Sequence, residues 1–232
     1  MYDELREQVL VANRRVVELG LAVLTFGNAS AADRGAGLVA IKPSGVLLDE
    51  LHPDSIPVVD LETGAAVAGD LRPSSDTPTH LRLYRALDVG AIVHTHSPFA
   101  TAWAQAQREL PCLGTTHADH FRGPVPITRL LSADEIAGDY EDATGVAIVE
   151  TLTSRGLDAS TMPAVLVASH GPFVWGRDAD EAVANALALE TVATSAYRTL
   201  ALEAALESIQ PELLARHFDR KHGPTAYYGQ SA

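Results

Sequence analysis

The sequence predicts an α/β (α+β) layered domain around a mostly antiparallel sheet flanked by helices. Short apolar runs of strand length recur along the chain, two of them flank Glu62-Thr63-Gly64 in the manner of a hairpin, and segments of helical period stand between the others. Hairpins mixed with helices favour antiparallel pairing over a strict strand–helix alternation. The 232 residues, 47% hydrophobic and 20% charged, suffice for one domain, 1–232, with a substantial core. No repeat, linker or low-complexity segment divides them.

The elements follow in order. Residues 2–19 place Leu5, Val9, Ala12, Val16 and Leu19 near helical period, and Gly20 is suited to end that helix. Residues 21–26 read as a strand, followed by the small-residue turn Gly27-Asn28-Ala29-Ser30. A second strand, 38–41, leads into the tight turn Lys42-Pro43-Ser44-Gly45. Residues 56–61 and 65–68 are the hairpin arms. Pro73-Ser74-Ser75-Asp76-Thr77-Pro78 opens a helix that runs on to residue 87. Residues 90–93 make a brief buried strand and 98–107 a helix, whereas 115–120 is polar with little propensity of its own. Ser132-Ala133-Asp134-Glu135 has the capping-box pattern for a helix to about residue 154. Outgoing and returning strands are expected at 164–168 and 172–175. Asp178-Ala179-Asp180-Glu181 caps a long alanine-rich helix to roughly residue 207. A last helix, 211–220, precedes a polar tail at 221–232.

Composition narrows the function. A net charge of −13 and a pI of about 5.0 argue against nucleic acid and anionic membrane as partners, while leaving room for a small phosphorylated substrate held by local donors. Cys112 is the only cysteine, so no intramolecular disulfide can form and any metal site must use nitrogen and oxygen. The first residues carry no basic and apolar leader pattern, and no run approaches a membrane span, so a cytoplasmic protein is expected.

The chemistry concentrates in a few places. His94 and His96 lie at the end of the apolar run 90–93, and residues i and i+2 of a strand project from one face. His170 again sits where a buried strand gives way to a loop. Neutral imidazole is the commonest nitrogen ligand for zinc and similar metals, and three such ligands with an open fourth position describe a catalytic site. Asp76 is the candidate fourth ligand, although an aspartate at a helix start serves equally as an N-cap. Gly27-Asn28, Ser44-Gly45 and Ser74-Ser75 offer amides and short side chains to an anion, each also being ordinary turn composition. Asp119, between two histidines, and Tyr228, near the end, are acid–base candidates. A charged loop would account for Asp119, and Tyr227 equals Tyr228 on composition.

Taken together, these stretches resemble the class II aldolase/epimerase superfamily and, within it, the L-ribulose-5-phosphate 4-epimerases. The carrying segments are Thr25-Phe26-Gly27-Asn28-Ala29-Ser30, Ile41-Lys42-Pro43-Ser44-Gly45-Val46, Pro73-Ser74-Ser75-Asp76-Thr77-Pro78-Thr79-His80 and Ile92-Val93-His94-Thr95-His96-Ser97. They continue with Gly114-Thr115-Thr116-His117-Ala118-Asp119, Ser169-His170-Gly171-Pro172-Phe173, Arg220-Lys221-His222-Gly223 and Ala226-Tyr227-Tyr228-Gly229-Gln230. The resemblance implies a divalent metal, usually zinc, with manganese or cobalt also suited, bound by Asp76, His94, His96 and His170. It implies phosphate and sugar contacts from Gly27, Asn28, Ser44, Gly45, Ser74 and Ser75. Asp119 and Tyr228 match the acid–base pair, which in these enzymes reaches the metal from a neighbouring subunit of a C4 homotetramer; the tail 221–232 thereby contributes to the active site. Aldolases of the superfamily place a glutamate where this chain has Asp76. Phe26 and His120 stand where tryptophan and another aromatic are usual, which leaves substrate preference open.

The implied reaction interconverts L-ribulose 5-phosphate and D-xylulose 5-phosphate. C4 of such a ketopentose is not adjacent to the carbonyl and is not acidic. Oxidation there would require a nicotinamide, and no Gly-x-Gly-x-x-Gly follows a strand. Retro-aldol cleavage of C3–C4 and re-formation on the opposite face remain, with the metal as Lewis acid. The rival readings are a sugar-phosphate aldolase, a dehydratase taking a methylthio sugar, and a non-catalytic module such as some cytoskeletal proteins carry. Arabinose and ascorbate breakdown are both compatible pathways.

Overall fold

The computed structural model describes residues 2–47, 50–224 and 226–228. Its strands are β1 (Asn28–Asp33), β2 (Leu38–Ile41), β3 (Val58–Asp60), β4 (Ala66–Ala68), β5 (Ala91–His94), β6 (Ala164–Leu166) and β7 (Pro172–Gly176). They join in one sheet of order β4-β3-β2-β1-β5-β7-β6 in which every neighbouring pair is antiparallel. The helices are α1 (Asp3–Glu18), α2 (Thr77–Ala86), α3 (Pro98–Gln105), α4 (Thr115–Ala118), α5 (Ala133–Ala137), α6 (Tyr140–Ser154), α7 (Ala179–Leu202) and α8 (Pro211–His222). None among the described residues is long and apolar enough to cross a membrane.

Strand alternation sorts the core into two layers. Ala29 and Ala31 of β1, Ala91 and Val93 of β5 and Val174 of β7 pack with Val9, Leu10 and Val16 of α1 and with Val183, Leu189 and Val192 of α7. The intervening residues, Ile92 of β5 and Phe173 and Trp175 of β7, pack with Leu81, Leu83 and Tyr84 of α2 and with Ile148 and Leu152 of α6. A layered single domain with a central antiparallel sheet flanked by helices is what the sequence pattern predicts. Asn28 and His94 are cross-strand partners, and His94 is in turn opposite Phe173, so polar residues meet at one end of the three central strands.

Several elements depart from expectation. Residues 21–26 form no strand: Leu24 adopts a left-handed φ of 56°, and Val23, Leu24 and Phe26 are exposed. The strand begins instead at Asn28, inside the segment read as a turn. Ala29, Ser30 and Ala31 are small enough to lie wholly buried between β2 and β5, so packing overrides their weak strand propensity. The helix expected over 132–154 is two helices, because Gly138 leaves helical conformation (φ −98°, ψ −130°). The Ser132 capping box that opens it forms as expected, with the Ser132 hydroxyl accepting from the Glu135 amide. Segment 115–120 folds into the short α4, which packs on α8. The outgoing strand stops at Leu166, α3 at Gln105 and α7 at Leu202, while α8 continues to His222. Within the expected tail, Thr225 and residues 229–232 lie outside the described residues.

Candidate active site

β5 delivers His94 to the end of the sheet, where its ring stacks on Phe173 at 4.2 Å and an interplanar angle of 15°. Its Nδ1 lies 2.9 Å from the Pro172 carbonyl, to which it can only donate, so Nε2 keeps its lone pair. His96, two residues on and exposed, brings its Nε2 to 3.1 Å from that of His94. His170 arrives from the turn between β6 and β7, where Ser169 holds a left-handed φ of 62° and bonds Gln107. Gly171 is required there, since a Cβ would come within 2.8 Å of the Thr95 carbonyl. One ligand atom from each imidazole falls within 4.8 Å of the others. The set grades from buried His94 through half-buried His170 to exposed His96, which leaves the cluster open on one side.

This donor set fits a divalent cation. Ligating imidazoles must be neutral, and burial depresses all three: His94 to about 3, His96 and His170 below the ordinary histidine value. All nitrogen donors and no thiolate suit zinc and its neighbours equally.

Asp76 occupies the N-cap position of α2, yet its side chain caps nothing. Its Oδ2 accepts from Asn28 Nδ2 at 2.7 Å instead, and Asn28 also donates to Ser74 Oγ at 3.1 Å. Burial pushes the Asp76 carboxyl up, but His94, His80 and the Asn28 hydrogen bond outweigh it and hold the group below the usual carboxylate value. Gly27 lies against β5: with φ 77°, a Cβ there would stand 2.7 Å from the His94 carbonyl. The other small-residue turns are tied side by side, Ser44 N donating to the Arg72 carbonyl and Ser74 N to the Lys42 carbonyl, both at 2.9 Å. Ser44, Gly45 and Ser75 are exposed on them. Gly27 and Asn28 thus lie beside His94, Ser74 and Asp76 are tied to Asn28, and the Ser44–Gly45 turn lies beside Ser74; among the described residues the close group of ligand atoms is the three imidazoles and does not include Asp76.

Asp119 and Tyr228 both meet Arg220, elsewhere in the chain. Asp119, at the end of α4, accepts from Arg220 Nε at 3.0 Å, Arg220 Nη2 at 2.6 Å and His217 Nδ1 at 3.1 Å. Burial raises its carboxyl, and these hydrogen bonds more than reverse that, holding it ionised. The Tyr228 ring lies 4.8 Å from the Arg220 guanidinium and 5.1 Å from Lys221 Nζ. Tyr227 makes no such ring contact with a cation among the described residues, but both phenols act on Arg220 electrostatically and both tyrosine amides donate to the Arg220 carbonyl. No hydrogen bond, ion pair or ring contact among the described residues joins Asp119 or Tyr228 to the histidine cluster of the same chain.

Other contributors are given no role by the sequence, although Lys42 and Arg220 lie in the segments that carry the resemblance. Lys42 is buried, its Nζ reaching only the Thr25 and Pro43 carbonyls at 3.4 Å; burial lowers its pKa against the pull of Asp76. The Tyr140 hydroxyl, from α6, stands 3.4 Å from His170 Nδ1. Arg220 and His217 meet Asp119 across roughly a hundred residues of chain, beyond any local pattern.

Comparison with known proteins bears on the fold and the family. The chain is similar in structure to an L-fuculose 1-phosphate aldolase, with a TM-score of 0.77, 24% identity, and 94% of this chain and 95% of that one covered. It is similar to YgbL from Klebsiella pneumoniae, a candidate aldolase/epimerase/decarboxylase, with a TM-score of 0.71 and 25% identity over 92% of this chain and 97% of that one. A third similar structure is L-fuculose 1-phosphate aldolase from Glaciozyma antarctica PI12, with a TM-score of 0.74, 18% identity and 97% and 84% covered. Residues 7–197 match the model of the Class II Aldolase and Adducin N-terminal domain, and the chain belongs to that family.

Proposed function

We propose that this chain is a metal-dependent epimerase that interconverts L-ribulose 5-phosphate and D-xylulose 5-phosphate by breaking and re-forming C3–C4. The observation that carries this reading is Asp76. Its carboxylate turns away from the helix it begins, is pinned at 2.7 Å by Asn28, and lies in electrostatic reach of His94 and His170. A short, pinned carboxylate suits a fixed metal ligand beside His94, His96 and His170 better than a mobile base. A divalent cation such as zinc, held by these residues, would supply Lewis acidity toward neighbouring carbonyl and hydroxyl oxygens.

The chain's own residues do the rest. Exposed Ser44, Gly45 and Ser75, with Ser74, form a small-donor surface for the substrate phosphate, and the under-satisfied ammonium of Lys42 supplies positive charge beneath it. Gly27 and Asn28 line the sugar's approach. Loss of the C4 hydroxyl proton to a base accompanies C3–C4 cleavage, leaving a three-carbon enediolate and glycolaldehyde phosphate. Held by its phosphate, the aldehyde turns, the bond re-forms on its other face, and an acid returns the proton. Asp119 and Tyr228 exchange these proton transfers. Because their contacts lie on the α4–α8 corner and not with their own histidines, a neighbouring copy in a C4 homotetramer brings them to the metal site.

A sugar-phosphate aldolase is the second reading, favoured by the similar structures that bear that name. Incubation with L-ribulose 5-phosphate separates the two. Formation of D-xylulose 5-phosphate without free glycolaldehyde phosphate is expected. Release of the free aldehyde selects the aldolase, and no reaction with either product sinks both.

A further inference from the structure

A polar group that the proposed reaction does not use lies behind the metal site. His80 follows Asp76 by four residues, and its amide donates to the Asp76 carbonyl at 3.1 Å, so the two side chains share one face at the start of α2. It is fully buried, edge-on to Phe173 at 5.8 Å, and Phe173 stacks on His94. Its Nδ1 lies 2.7 Å from Ser30 Oγ, which lies 2.8 Å from the Tyr84 hydroxyl, and all three residues are buried. Its Nε2 has no hydrogen-bond partner among the described residues.

Donor counting gives this chain one direction. The Tyr84 hydroxyl oxygen accepts from the Ile92 amide, which cannot take its proton, and Ser30 Oγ is the one acceptor bonded to it among the described residues, so the Tyr84 proton is satisfied only by donating there. The Ser30 proton is then satisfied only by His80 Nδ1, which must be the bare nitrogen. The reverse direction leaves the Tyr84 proton with no acceptor, whereas this one leaves the unpartnered hydrogen on His80 Nε2, on a ring that lies in the field of the Asp76 carboxylate. With Nδ1 accepting, the neutral ring carries its hydrogen on Nε2. Burial keeps the ring neutral, at about 4, with Asp76 pulling the other way. His80 therefore presents a buried N–H beside an anion. One oxygen of that anion, Oδ2, is held by Asn28, and Oδ1 has no hydrogen-bond partner among the described residues.

We infer that His80 is a positioning residue for Asp76, its Nε2–H being set by the Tyr84, Ser30 and His80 relay to orient the carboxylate toward the histidine cluster. This rests on the proposed role of Asp76 as a metal ligand. Ligating carboxylates are themselves hydrogen-bonded, and outer partners of this kind hold a ligand in place.

The first test needs no metal. Nitrogen-15 labelling of the histidines and two-bond ¹⁵N–¹H correlation read which ring nitrogen of His80 bears the hydrogen, the signals being assigned by their loss in His80→Gln. Hydrogen on Nε2 is expected in the unaltered protein, and a shift toward hydrogen on Nδ1 in Tyr84→Phe; hydrogen on Nδ1 in the unaltered protein overturns the relay. The second test is zinc affinity by competition with a chromophoric chelator. His80→Leu is expected to weaken binding about tenfold or more, while His80→Gln, which can restore a donor at the Nε2 position, stays within about threefold. In an Asp76→Asn background, His80→Leu should add nothing. An undiminished loss there means His80 acts on the imidazoles and overturns the inference. Unchanged affinity in Asp76→Asn alone instead removes the ligand role of Asp76, a failure of the functional reading that leaves the relay's direction intact.

Discussion

An aspartate at the first boundary of a helix ordinarily spends its carboxylate on free amides, but Asp76 gives its hydrogen bond to Asn28 across the sheet. That choice sets aside the capping reading of Asp76, and the ligand reading is the one proposed above. Asp119 is similarly committed, to Arg220 and His217, and is held ionised. It is therefore ready to accept a proton. Asp119→Asn should lower kcat by about 100-fold or more with KM little changed, as expected for a group that acts in proton transfer. Steady-state kinetics check this, and a rise in KM at constant kcat would contradict it. At this scale the histidines were legible, because strand alternation puts i and i+2 on one face. Tyr140, Lys42 and the partners of Asp119 were not, since a lone side chain reaching across the fold leaves no period to detect.

At the scale of elements, the site depends on where β1 begins, and α1 fixes that. Buried Asn13 on α1 donates to the Ala29 carbonyl at 3.1 Å and accepts from the Ala29 amide at 2.9 Å, while also donating to the Val9 carbonyl in its own helix. Its neighbour in the strand, Asn28, carries the bond to Asp76. Asn13→Leu strands the buried Ala29 amide and should destabilise the fold by about 2 kcal/mol. Denaturant unfolding reads this, and an unchanged midpoint would contradict it. The sequence presented this strand as a turn because Ala29, Ser30 and Ala31 are small residues of weak strand propensity. Only their burial between β2 and β5 makes them a strand. The strongly apolar segment just before it, 21–26, looked more like one and is not. Elements defined by their own periodicity, such as α1, α2 and the β3–β4 hairpin, were legible, whereas the ends set by single residues such as Gly138 were not.

For the molecule as a whole, three imidazoles are buried in the uncharged form. Burial lowers His80 and His117 to about 4 and His94 to about 3. In the unfolded chain each takes up its proton near pH 6.5. Between about pH 6.5 and 4 the unfolded state therefore binds more protons, and stability falls as the pH falls, by about 1.4 kcal/mol per unit for each such group. The urea midpoint of the metal-free protein should drop steadily from pH 7 to pH 5, and a flat profile would contradict the burial of these rings. The histidine cluster and the Asp119–Tyr228 corner share no hydrogen bond, ion pair or ring contact among the described residues of one chain, and under the proposed function a second copy completes the site. Mixing inactive His96→Ala and Asp119→Asn proteins under subunit exchange should restore activity, one intact site forming between them; no recovery would contradict a shared site. The most direct test of metal-dependent epimerisation is conversion of L-ribulose 5-phosphate to D-xylulose 5-phosphate by the purified protein, measured before chelation, after it, and after return of zinc. Conversion that is lost with the metal, restored with it and free of released aldehyde is the expected result; no conversion by protein shown to hold its metal would contradict it.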